Sequence, residues 1–163
     1  MKSLALALTM SLTASVGFAA DTMHLETALI GKTTATGSFA AINGTRRSFT
    51  VDVTGRWNGK VFTLREDFVY DDGQRDTKTW HFTKKSANSY VGTREDVIGT
   101  TTLTVNGRFA SFDYDVWLDG ETRKNKAHFY DKLELRPDGS VKNRALVTKF
   151  GIPVARVKVE FTR

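Results

Sequence analysis

The chain has 163 residues, a formal net charge of +6 and no cysteine. That length suits one domain with a sizeable core. The missing cysteines exclude disulfides and the thiol that a lipid-anchored bacterial protein needs at its processed N-terminus. The positive charge is spread over short clusters (Arg46-Arg47, Lys84-Lys85, Arg123 to Lys126) with acids nearby. No basic stripe points to nucleic acid, so peripheral contact with anionic membrane surfaces is the most such charge implies.

The first element reads as a secretory signal over 1–19. Lys2 is its positive end, Leu4 to Leu12 its apolar run, and Gly17 and Ala19 satisfy the small-residue rule for cleavage. Losing Lys2 leaves a charge of +5 on an exported, periplasmic chain. The apolar run falls short of the roughly 20 residues a membrane span needs. An N-terminal segment follows over 20–36, with a short helix expected in 22–32, capped by Thr22 and stopped by Gly31. The barrel domain is expected over 37–163.

From residue 37 onward, apolar residues alternate with polar ones between turn signals. Strands are expected near 37–42, 46–54, 60–70, 75–84, 89–94, 97–105, 108–118, 121–136, 140–148 and 154–162. Asn43-Gly44, Asn58-Gly59, Asp71-Asp72-Gly73, Asn106-Gly107, Asp119-Gly120, Pro137-Asp138-Gly139 and Phe150-Gly151 separate most of them. Two-residue turns at Asn58-Gly59, Asn106-Gly107 and Asp119-Gly120 would pair Trp57 with Lys60, Val53 with Leu64 and Phe49 with Phe68. They would also pair Leu103 with Ala110, Gly99 with Tyr114, Val97 with Val116 and Phe112 with Ala127. At the other two signals a two-residue turn would set apolar residues against polar ones. Three-residue loops there pair Phe62 with Phe82, Leu64 with Trp80, Leu135 with Val141 and Phe129 with Val147.

No helical period separates the strands, so crossover connections are not expected. About ten strands in a single up-and-down antiparallel meander remove their edges by closing into an all-β barrel. Its interior would hold Phe49, Val51, Val53, Phe62, Leu64, Phe68, Trp80, Phe82, Leu103, Phe112, Tyr114, Phe129, Leu133, Val147, Val157, Val159 and Phe161. Asp52, Arg65, Asp67, Asp113, Asp115, Lys132, Glu134, Arg156 and Lys158 would face outward. An outer-membrane barrel has the reverse pattern.

A few polar residues interrupt the inner face. Glu66 lies between Leu64 and Phe68 with Lys78 opposite, Asp131 lies between Phe129 and Leu133, and Asn143 faces Leu133. A buried charge is costly unless paired. One reading is therefore a satisfied Glu66–Lys78 pair in the wall. The other is a polar anchor for a ligand head group, with Trp80, Phe82, Phe112 and Tyr114 as the apolar wall. Glu66 and Asp131 would serve an acid–base enzyme only if they met. His24, His81 and His128 form no metal-ligating set, and no nucleophile or nucleotide motif is present, so no metal or cofactor is expected.

Several stretches together carry a family likeness: Phe49-Thr50-Val51-Asp52, Gly55-Arg56-Trp57, Leu64 to Gly73, Thr79-Trp80, Asp96-Val97-Ile98-Gly99, Asn143-Arg144 and Lys149-Phe150-Gly151. Over 34–163 the chain resembles the bacterial family named domain of unknown function 3833. The most specific piece is Glu66-Asp67-Phe68-Val69-Tyr70-Asp71-Asp72-Gly73. The resemblance implies a lipocalin-like barrel in the cell envelope. Its members are often lipoproteins encoded near enzymes that modify membrane fatty acids, and it carries no catalytic assignment. This chain lacks the anchoring cysteine. The expected function is binding of a fatty acid, lipid or other small apolar or amphipathic ligand. The alternatives are an enzyme acting on an envelope lipid, of isomerase or hydratase type with Glu66 as base, and a structural or assembly factor with a filled barrel.

Overall fold

A computed structural model describes residues 22–120 and 122–162. The expected signal segment lies outside them. One helical turn, α1 (Leu25–Ala28), precedes ten strands: β1 (Gly31–Ala41), β2 (Arg46–Trp57), β3 (Val61–Tyr70), β4 (Arg75–Ser86), β5 (Ser89–Thr93), β6 (Thr101–Asn106), β7 (Phe109–Trp117), β8 (Lys126–Leu135), β9 (Val141–Lys149) and β10 (Ile152–Thr162). All pair antiparallel with their sequence neighbours, and β1 pairs with β10, so the barrel is closed. β1 starts at Gly31, six residues before its expected start, and the expected helix shrinks to α1.

Alternation sorts the side chains as the pattern requires. Of the expected interior residues, Phe68, Phe129 and Val157 are partly buried and the other fourteen are buried. Phe62 is fully buried, which contributes roughly 1.5–3 kcal/mol relative to exposure.

Two registers follow the three-residue loops. Phe62 pairs with Phe82, Leu64 with Trp80 and Glu66 with Lys78. Leu135 pairs with Val141, Leu133 with Asn143 and Phe129 with Val147. The three expected two-residue turns are corrected. Trp57 pairs with Phe62, Val53 with Glu66 and Phe49 with Tyr70. Asn58 Oδ1 accepts from the backbone N–H of Lys60 and Val61 at 3.0 and 2.8 Å, which holds a longer loop. The β6–β7 turn is Gly107-Arg108, so Val105 pairs with Ala110. Asp119 Oδ2 accepts from the N–H of Lys124 and Asn125 at 3.0 and 3.1 Å, extending the β7–β8 loop and pairing Val116 with Ala127 and Phe112 with Asp131. Val97 does meet Val116, in an isolated bridge, but Gly99 turns away with a positive φ and does not pair with Tyr114.

The ends of the barrel differ. Around α1, Met23, Leu25 and Leu29 are buried, and Met23 N–H donates to Gly107 O at 2.9 Å. Glu26 ties this plug to the wall, accepting from Tyr90 Oη at 2.6 Å and from Lys84 Nζ. Gly55 allows the approach, because a Cβ there would lie 1.8 Å from Leu29 O. The opposite end is ringed by the β1–β2, β3–β4, β5–β6, β7–β8 and β9–β10 connections.

Candidate functional site

The interior is hollow. A cavity of about 600 Å³ extends from Leu25 and Leu29 at the plug to Phe39, Tyr70 and Leu118 at the open end. All eight residues singled out in the sequence line it: Glu66, Lys78, Trp80, Phe82, Phe112, Tyr114, Asp131 and Asn143.

Its aromatic wall depends on small residues elsewhere. Trp80 and Phe82 on β4 meet Phe112 and Tyr114 on β7, across the short strands β5 and β6. Trp80 stacks on Phe82 at 5.0 Å and stands edge-on to Phe112 and Tyr114 at 5.5 and 5.0 Å. Tyr114 in turn stacks on Phe129 at 5.5 Å. The rings lie over Gly92, where a Cβ would come within 2.7 Å of the Phe82 ring. These contacts are of the offset and edge-on kinds that aromatic quadrupoles favour.

The polar cluster differs from the expected Glu66–Lys78 pair. The two residues are opposite each other, but Lys78 Nζ bridges Asp76 at 3.2 Å and Asp96 at 3.1 Å. The cation that faces Glu66 is Arg94, just after β5. Arg94 grips Asp96 through Nε–Oδ1 at 2.6 Å and Nη2–Oδ2 at 3.3 Å. Its guanidinium lies 4.7 Å from the Trp80 ring centre and 5.3 Å from that of Tyr114. Carboxylate grip and ring stacking fix the planar fork in place.

Burial then acts on the carboxyls. It pushes Glu66 up to about 7; Arg94 opposes the rise, while Asp131, Glu95 and Asp96 add to it. Burial likewise pushes Asp131 up to about 6, against the Asn143 amide, the Tyr114 hydroxyl and Arg94. Burial and the charge of Asp131 raise Tyr114 well above its ordinary range, so it stays protonated. Asp96 goes the other way: burial would raise it, but Arg94 and Lys78 outweigh burial and hold it low. Asp96 is thus held ionised beside Arg94 and Lys78, while Glu66 and Asp131 are carboxyls whose charge changes near neutrality.

Asp131 is 5% exposed. Asn143 Nδ2 donates to its Oδ1 at 2.6 Å. Asp131 Oδ2 and Asn143 Oδ1 are buried without a hydrogen-bond partner in the protein. Two buried acceptors without partners carry a desolvation cost that a hydrogen-bond donor reaching them would relieve.

His81 and His128 lie on the outer wall, as expected. His81 contacts Thr63 at 3.3 Å, and His128 contacts Asp115 at 2.9 Å. Among the described residues no group of three or more His, Asp or Glu is placed to hold a metal ion. Sequence reasoning missed Arg94 and Asp96, and also Arg47, Tyr70 and Asp76, which line the open end.

Comparison with solved structures places this barrel beside two others. The S-type phycobiliprotein lyase CPES of Guillardia theta matches with a TM-score of 0.60 at 10% identity, covering 84% of this chain and 89% of that one. Rv2717c of M. tuberculosis matches with a TM-score of 0.60 at 14% identity, covering 85% of this chain and 96% of that one. At these identities the likeness concerns the fold, a lipocalin-like barrel. No curated protein matches the chain. The model of a family described as protein of unknown function, DUF3833, matches residues 8–163, and the chain belongs to that family.

Proposed function

We propose that the chain is a periplasmic carrier that holds one small amphipathic molecule, a fatty acid or another lipid, inside the barrel. The observation that carries this reading is the hollow interior of about 600 Å³ with the unpaired acceptors of Asp131 and Asn143 in its wall. The volume lies within the range of small-molecule sites, and an apolar lining with a few convergent polar groups is their usual chemistry. It argues against a filled barrel. The periplasmic placement rests on the N-terminal sequence pattern.

The head group would sit where Asp131, Asn143, Tyr114 and Arg94 converge. It must donate at least one hydrogen bond, as a hydroxyl, an amide or a protonated carboxyl does. The apolar part would lie against Leu64, Phe82, Leu103, Phe112, Leu133 and Phe161, all cavity-lining. Native mass spectrometry of the protein purified without denaturation tests the reading. A bound lipid is expected, as is a change in Trp80 fluorescence when a fatty acid or fatty alcohol is added. If neither is seen, the carrier reading fails.

One observation favours a second reading, an isomerase or hydratase acting on an envelope lipid. Glu66 and Asp131 share one cavity, and the charge of Asp131 adds to the rise at Glu66. A carboxyl near 7 beside one near 6 is suited to general acid–base work. A Glu66→Gln variant that keeps full turnover removes Glu66 as the base.

A further inference from the structure

The exposed apolar residues are concentrated at the open end. Ile42, Ile98, Leu118, Phe150 and Ile152 are all exposed, and all lie in or beside the connections of that rim. Among the described residues, the opposite rim has only Ile30, at 41%. Three of the open-end connections are adjacent around the barrel, because β2, β1, β10, β9, β8 and β7 are consecutive neighbours. They are also stitched together. Ile42 N–H donates to Val154 O at 2.9 Å, and Lys149 Nζ donates to Asn125 Oδ1.

Phe150 is the most informative of these residues. It is fully exposed, with φ of +50°, and Gly151 follows at +76°. Lys149 pairs with Ile152, so Phe150-Gly151 is a two-residue turn with both φ angles positive. Such turns favour Asn, Asp or Gly at the first position. A phenylalanine there is conformationally costly and buries nothing in the described fold. Strain held at an exposed apolar tip is expected where the tip meets something else.

The same sector is basic. Arg46, Arg123 and Lys124 are exposed, and none has a carboxylate within salt-bridge distance among the described residues. Asp119 in the β7–β8 connection turns its carboxylate onto the backbone of its own loop, and Asp71, Asp72 and Asp76 belong to the β3–β4 side of the rim. We propose that the rim built from the β1–β2, β9–β10 and β7–β8 connections docks on an anionic lipid bilayer, with Phe150, Ile42, Ile152 and Leu118 entering the interface and Arg46, Arg123 and Lys124 on the head groups. Apolar tips flanked by cations are the chemistry of interfacial binding. A second copy fits less well: a two-fold contact presses the same patch on itself and sets these cations against one another. Docked this way, the open end of the cavity faces the membrane.

Co-sedimentation with vesicles of phosphatidylethanolamine and phosphatidylglycerol tests the proposal, independently of cavity occupancy. The wild type should sediment with these vesicles and far less with pure phosphatidylcholine. Phe150→Asn should weaken binding roughly ten-fold while thermal stability holds or rises, since the turn prefers asparagine. Ile152→Ser should weaken it in the same direction. Arg123→Ala with Lys124→Ala should weaken it about five-fold per cation removed. Ile30→Ser, the same chemistry at the opposite end, should leave binding unchanged. The proposal is overturned if the wild type stays in the supernatant, if Phe150→Asn binds like wild type, or if Ile30→Ser costs as much. Self-association without vesicles that Phe150→Asn abolishes also overturns it, making a second copy the occupant.

Discussion

Replacing Glu66 by glutamine should stabilise the ligand-free protein above neutral pH and change little in acid. Glu66 is pushed up to about 7 from an ordinary value of 4.5. Below pH 4.5 the carboxyl is protonated in both folded and unfolded chains, so it has no pH-dependent effect. As pH rises from 4.5 to 7 the unfolded chain releases its proton while the folded one retains it. The folded state binds more protons in that window, so stability falls as pH rises. At about 1.4 kcal/mol per pH unit, the loss is about 3 kcal/mol above pH 7. Glutamine keeps the shape and cannot ionise. The variant should therefore exceed wild type by up to about 3 kcal/mol at pH 8, or roughly 6–12 °C in melting temperature for a domain of this size. The gap should close near pH 4.5.

The assay is urea or thermal unfolding of both proteins at pH 4.5, 6 and 8. Asp131, pushed to about 6, titrates in an overlapping window, but it is present in both proteins and its own titration largely cancels in their difference. Asp67 is held at about 2 by hydrogen bonds from Arg65 and Thr77, and its contribution is lost only in stronger acid. A gap independent of pH, or a wild type more stable than the variant at pH 8, would show that Glu66 is not held in a site that penalises its charge.

Other perturbations probe the rest of the site. Asp131→Asn should give a gap of the same sign but a lower pH window, from about 4 to about 6, because Asp131 is pushed only to about 6; unfolding curves at pH 5 and 7 check it. Affinity for a fatty alcohol should rise between pH 5 and 7 as Asp131 ionises, since an ionised acceptor makes the stronger hydrogen bond; fluorescence titration at both pH values shows this, and a flat or falling profile opposes the head-group placement. Gly55→Ala should cost about 1–3 kcal/mol and loosen the plug, because its Cβ would meet Leu29 O, a backbone atom, at 1.8 Å; amide exchange at Leu25 to Leu29 should speed up with it.

The registers show which parts of the fold are legible in the sequence. Aligning apolar rows tests only whether a loop keeps each strand's faces. A three-residue loop in place of a two-residue one moves every side chain to the other face, so the rows decide between them. The β3–β4 and β8–β9 registers were readable for that reason. Replacing a two-residue loop by a four-residue one shifts the pairing by two and leaves each face intact. Apolar still meets apolar, so the rows are blind to it. What decides the β2–β3 loop is Asn58 Oδ1 capping Lys60 and Val61, and at β7–β8 it is Asp119 Oδ2 capping Lys124 and Asn125. Asn-Gly and Asp-Gly signal a turn in either case.

The site residues that alternation exposes were those on regular strands: Glu66, Lys78, Asp131 and Asn143 interrupt apolar rows and line the cavity. Arg94 and Asp96 escape that test because they follow the last residue of β5, where period two no longer says which way a side chain points. The sequence nevertheless held a trace of them. Two inward acids with a single inward lysine leave a charge deficit that a low-dielectric interior does not tolerate. Lys78, drawn to Asp76 and Asp96, does not fill the deficit. Burial raises the proton affinities of Glu66 and Asp131, and Arg94, itself gripped by Asp96, offsets that rise only in part. The same interior deficit leaves Asp131 Oδ2 buried without a partner in the protein. A barrel wall serving stability alone would have had little reason to keep either carboxyl.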